Sequence, residues 1–136
     1  MAKPRRNNYP ILENITILDI ADKGNTFAKL NELALFISGG APGDVVDIQV
    51  TKKKKAFMEG RIIKTHSLSP KRVDAFCEYF GTCGGCKWQH MGYEYQLQFK
   101  QQQVIDQLTR IGKVTLPEIT PILAAPETEF YRNKLE

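Results

Sequence analysis

From Tyr9 to about Leu68 the apolar residues fall in short runs, some β-branched and some partly alternating with polar ones, and turn-forming residues bound the runs. That pattern predicts β-strands. Ile15, Ile17, Leu18 and Ile20 lie in a β-branched run that stops at Asp22-Lys23-Gly24-Asn25, a turn signal. Residues 27–30 predict a second strand, and Asn31-Glu32 turn it into a third at 33–37. Residues 38–44 contain three glycines and Pro42 and so read as a loop. Val46, Ile48 and Val50 share one face of a fourth strand, Lys52, Lys53, Lys54 and Lys55 form a charged hairpin tip, and residues 57–64 return as a fifth strand. Five short strands in about sixty residues predict a small five-stranded OB-like barrel, because closing the sheet hides the edges that otherwise aggregate.

Beyond the barrel the pattern changes. Residues 69–76 are a linker. Leu97, Val104, Leu108 and Ile111 follow at helical spacing, which predicts a helix over 93–111 with one apolar face. Gly112 stands where a left-handed C-cap is expected. The expected organisation is therefore a disordered basic tail at 1–8, the barrel at 9–68, a cysteine segment with its helix at 69–112, and a truncated start of a further domain at 113–136. The fold class is α+β, mainly β.

Composition narrows the function. Apolar residues make up 42% of the 136, and no run approaches the roughly 20 needed to span a bilayer. The first eight residues are polar and basic, unlike a secretory leader. A cytoplasmic monomer with no membrane partner is expected. The formal charge is +4, but it is uneven: residues 1–72 hold thirteen Lys and Arg against seven Asp and Glu. A basic front half suits a polyanion such as RNA. The four lysines at 52–55 are the sharpest feature, and Arg61, Lys64, Lys71 and Arg72 extend the patch if the barrel forms. Phosphate contacts position a strand without reading it, so selectivity needs bases on aromatic faces, for which Phe27, Phe57 and Tyr79 are candidates.

All three cysteines fall within ten residues, as Cys77-x5-Cys83-x2-Cys86. An odd, dense set does not suit a disulfide framework and points to metal. Gly81, Gly84 and Gly85 allow the tight turns that would bring thiolates together. Thiolates select iron–sulfur clusters, zinc or copper(I). A 4Fe-4S cluster normally takes four cysteines, so a fourth ligand would lie outside the chain. Alternatively His90, at Cys86-x3-His90, completes a Cys3His zinc site. Spacing alone leaves both open.

The stretch from Cys77 to His90, reading CEYFGTCGGCKWQH, resembles the iron–sulfur-containing 23S rRNA uracil-C5 methyltransferases and their relatives. The resemblance continues through Tyr93, Gln96, Leu97 and Lys100, includes the Gly39-Gly40-Ala41-Pro42-Gly43-Asp44 loop, and ends at Tyr131-Arg132-Asn133-Lys134. It implies a TRAM domain, an OB-like RNA-binding barrel, with Arg132 among the RNA-facing cations. It also implies a 4Fe-4S cluster on Cys77, Cys83 and Cys86, with His90 structural. The longer enzyme would transfer a methyl group from S-adenosylmethionine to C5 of a uridine in rRNA or tRNA. No adenosylmethionine-binding glycine motif or catalytic residue is among those matched, so this stretch is expected to bind RNA and not to catalyse. Two rival readings are a free-standing Cys3His zinc adaptor for nucleic acid and an electron-transfer protein.

Overall fold

The computed structural model describes residues 8–133; most of the tail expected at 1–8, and Lys134, lie outside the described residues. The chain divides into two units, one through Gln96 and one from Leu97.

Among the described residues the first unit is built on six strands, one more than the sequence pattern predicts. They are β1 (Ile11–Thr16), β2 (Asp19–Ile20), β3 (Thr26–Leu30), β4 (Leu33–Ser38), β5 (Val45–Lys53) and β6 (Phe57–Ser67). Their order in the sheet is β1-β5-β6-β4-β3-β2, with only β4 and β6 running parallel. The extra strand arises because the run expected as one strand is bent. Its first half pairs with β5 and its second with β3. At the bend the backbone changes partner: Ile17 N–H donates to the Asp44 carbonyl and Leu18 N–H to that of Phe27, at 2.9 and 2.8 Å. The sheet is therefore not closed by a ladder of hydrogen bonds. Its two edges are consecutive stretches of one strand.

Alternation then fills the interior. Ile15, Ile17, Ala28, Leu35, Ile37, Val46, Ile48, Val50 and Met58 form one buried cluster. Burying each large aliphatic chain of this kind contributes about 1.5–3 kcal/mol. Gly60 is required by this packing, since a Cβ there would stand 2.4 Å from the Ile48 side chain. The turn between β3 and β4 is the tight one expected, with Asn31 and Glu32 both at positive φ, 47° and 68°. That is the geometry of a two-residue hairpin whose twist matches its strands.

Helix α1 (Tyr93–Asp106) begins where expected and continues as a widened π-type turn over Gln107–Ile111. The Thr109 hydroxyl donates to the Ile105 carbonyl at 2.7 Å, a side-chain bond that competes with the regular helical ladder. The left-handed residue that ends the turn is Lys113 (φ 52°), whereas Gly112 stays right-handed (φ −72°). Within the second unit the expected apolar face is not buried: Val104 and Ile111 are 53% and 79% exposed. What holds the following extended segment is polar, with the Gln101 side chain accepting the Ile122 N–H at 2.8 Å. Among the described residues no helix is long and apolar enough to cross a membrane.

Candidate nucleic-acid interface and cysteine loop

The lysine run is split by the fold. Lys52 and Lys53 complete β5, and Lys54 and Lys55 make the turn into β6. All four are exposed. Lys54 N–H donates to the Phe57 carbonyl at 2.8 Å, which closes the turn, and Lys52 Nζ lies 3.7 Å from Glu59. Arg61 and Lys64 are exposed further along β6, and β6 itself runs to Ser67. In the second unit Arg132 is exposed.

Lys71 and Arg72, expected in the same patch, are engaged instead. The Lys71 ammonium sits 5.6 Å from the centre of the Tyr95 ring, a cation–π distance. Arg72 forms a two-pronged pair with Asp44, Nη2 to Oδ2 at 2.6 Å and Nε to Oδ1 at 2.9 Å. Asp44 is fully buried. Burial alone would push its carboxyl up. The Arg72 guanidinium, with the N–H groups of Ser69 and Ala41, outweighs that and holds the acid below its usual range.

Asp47 does related work within β5. The register slip in β1 puts Asn14 at positive φ and frees its N–H from the ladder. Asp47 Oδ1 accepts that N–H at 2.9 Å and lies 2.7 Å from His66 Nε2. The Asn14 hydrogen bond and then His66 lower the Asp47 carboxyl from its ordinary value.

The segment after β6 is tied to the barrel through backbone and side chains. Arg72 bridges to Met91, Val73 N–H donates to the His90 carbonyl at 3.0 Å, and His90 Nε2 lies 2.6 Å from the Gly40 carbonyl. The His90 ring lies beside Phe80, with centroids 5.3 Å apart, and its Nδ1 is buried without a hydrogen bond. A half-open cleft of about 460 Å³ separates the barrel loops from this segment, lined by Lys23, Gly39, Gly40, Lys87 and His90 among others.

The three cysteines sit on a loop of tight turns. Phe80 N–H bonds back to the Cys77 carbonyl, and the Thr82 and Cys83 N–H groups both bond to that of Tyr79. Gly81 and Gly84 adopt positive φ, 89° and 75°, with open space around them. Cys83 and Cys86 are exposed, Cys77 is half-buried, and all three are free thiols. Among the described residues no three His, Cys, Asp or Glu side chains gather at metal-binding distance. Beyond its own turns the loop is held at Cys77, whose N–H donates to Gln89 Oε1 at 3.3 Å, and Nε2 of His90 lies 2.6 Å from the Gly40 carbonyl.

Sequence reading missed the Asp44–Arg72 and Asp47–His66 pairs, whose partners are 28 and 19 residues apart. It also passed over Phe36, whose ring lies between those of Phe27 and Phe57 at 5.9 and 5.8 Å. Strand alternation in β3, β4 and β6 is the signal that would have put the three together.

The comparisons bear on the barrel and on the whole chain. The TRAM domain family matches residues 13–63. An uncharacterized RNA methyltransferase of Bacteroides thetaiotaomicron is 52% identical over 117 residues, covering 86% of this chain and 26% of that protein. One of Porphyromonas gingivalis is 51% identical over 120 residues, 88% of this chain and 26% of its own length. One of Halalkalibacterium halodurans is 43% identical over 130 residues, 96% of this chain and 28% of its own. The chain thus spans about a quarter of the length of the relatives it matches. Residues 13–63 thus match the TRAM domain family, and most of the chain is similar to part of these RNA methyltransferases.

Proposed function

We propose that this chain is the RNA-binding part of an S-adenosylmethionine-dependent RNA methyltransferase acting at C5 of uracil in rRNA or tRNA. The observation that carries RNA binding is the exposed lysine turn at the β5–β6 junction of a TRAM barrel, continued along β6 by Arg61 and Lys64. Ammonium groups on a rigid hairpin reach phosphates without an entropic cost for ordering the backbone that bears them. The uracil reading rests on the resemblance of the Cys77–His90 stretch.

Methylation at C5 displaces the hydrogen there. The test is to incubate the full-length protein with S-adenosylmethionine and RNA tritiated at uracil C5. Tritium release in step with methyl incorporation supports the reading, whereas methyl incorporation without release places the chemistry elsewhere.

Cys77, Cys83 and Cys86 are the proposed ligands of a 4Fe-4S cluster with a fourth ligand outside the chain. A glycine-rich loop with free space at Gly81 and Gly84 has room to close onto such a centre, and metal binding would then supply the ordering energy. No step of methyl transfer is routed through it.

A further inference from the structure

The outer face of the sheet carries three phenyl rings that the core does not use. Along β3, β4 and β6 the buried positions are Ala28, Leu35, Ile37 and Met58. Phe27, Phe36 and Phe57 fall on the alternate positions and are half-buried. Phe27 pairs directly with Phe36 across the strands, and Phe57 stands diagonally beyond, opposite Ala34. The rings form one row, tilted at 54° and 70°.

The surroundings of the row are cationic. Lys29 follows Phe27 on the same face of β3, and Arg61 follows Phe57 on the same face of β6; both are exposed. The Lys54-Lys55 turn is hydrogen-bonded to Phe57 itself. The two acids bordering the row are occupied, Glu59 by Lys52 at 3.7 Å and Asp19 by the N–H of Ile20 at 2.7 Å.

We propose that Phe27, Phe36 and Phe57 are a base-stacking platform for single-stranded RNA, with the lysine turn and Arg61 taking the phosphates. The proposal rests on the RNA-binding reading and gives it a surface. Unpaired bases offer their faces to such rings whatever their sequence, whereas a duplex hides them. Charge complementarity makes the occupant a polyanion, and the aromatic row makes it an unpaired one.

The test uses the 136-residue chain and fluorescently labelled RNA, single-stranded oligouridine against a duplex of equal length. Phe36→Leu and Phe27→Leu/Phe57→Leu keep apolar bulk on the sheet, and thermal melts confirm that each variant folds. Losing one stacking ring should weaken single-strand binding by about 5- to 10-fold and leave duplex binding unchanged. A 2-aminopurine base in the strand should be quenched by the wild type and not by Phe36→Leu. If the phenylalanine variants bind and quench like the wild type while Lys54→Gln/Lys55→Gln loses affinity, RNA binding stands and the platform is wrong. If the wild type binds neither RNA, the RNA-binding reading itself falls. Unchanged RNA binding with altered self-association in sedimentation would make this face a protein-docking surface and overturn the platform.

Discussion

Arg72 holds Asp44 in a two-pronged ion pair, with Nη2 2.6 Å from Oδ2, although Asp44 is wholly buried and the two are 28 residues apart. The pair joins the glycine-rich loop before β5 to the segment that carries the cysteines. Its guanidinium is therefore a strut. The carboxylate uses its remaining oxygen capacity on the Ala41 and Ser69 N–H groups, so its charge is compensated on every side.

Replacing Arg72 by Ala leaves that carboxylate buried and unpaired. Breaking a buried pair from one side costs about 3–5 kcal/mol. Urea unfolding of Arg72→Ala is expected to show a loss of that order, while Arg61→Ala on the open face of β6 changes little. Equal effects from the two would mean that the pair is not structural.

Both Asp44 and Asp47 titrate below their ordinary value of 3.8 in the folded chain. The unfolded chain then binds more protons than the folded one in the acid range. The stability these groups contribute is present above the unfolded value and is lost as pH falls through the lower folded values. The urea midpoint is expected to be level in this respect above about pH 5 and to fall below about pH 4. Asp44→Asn should flatten part of that fall. A midpoint that rises on acidification would contradict the hydrogen-bonding scheme at both sites.

Glu32 occupies the second position of the β3–β4 turn at φ 68°, where a side chain is strained and glycine is not. Glu32→Gly is expected to stabilise the chain by about 0.5–1 kcal/mol despite the greater entropy glycine gives the unfolded state. Thermal melting gives the sign directly, and a lower melting temperature would argue against the strain.

The lysine turn contributes to RNA affinity by releasing counterions. Removing two phosphate contacts with Lys54→Gln/Lys55→Gln should reduce the slope of log K against log salt by about 1.4 for a single strand. Titrations at several salt concentrations measure it, and an unchanged slope would remove these two residues from the interface.

For the cysteine loop, full-length protein prepared without oxygen is expected to contain iron and acid-labile sulfide, and Cys83→Ser to lose both. Under this assignment His90→Ala keeps the iron, because His90 serves the Gly40 carbonyl instead. Stoichiometric zinc that disappears in both variants would establish the Cys3His alternative.

What could be read from the sequence was local. The Asn31-Glu32 turn, the alternating strands and the start of α1 at Tyr93 depend on neighbours a few residues away, and each was found in place. The bend at Ile17-Leu18 was not, because it is set by two partners from different parts of the chain, the backbone of Asp44 and that of Phe27. The same limit hid Arg72: by composition it is one more cation in a basic patch, and only the barrel brings a buried carboxylate to it. Gly112 was expected to supply a left-handed cap, but the widened final turn moved that conformation to Lys113. On the candidate interface, the lysines were evident as charge, whereas Phe36 was passed over because only strand pairing puts it between two other rings.

The bend that makes one strand serve as both β1 and β2 has a mechanical consequence. Around the sheet, every junction between described strands but one is a hydrogen-bonded ladder that could slide by a register step. The remaining junction, at Ile17-Leu18, is made of peptide bonds. It neither slides nor opens, so it pins the relative register of the β1–β5 and β2–β3 pairs from a single point.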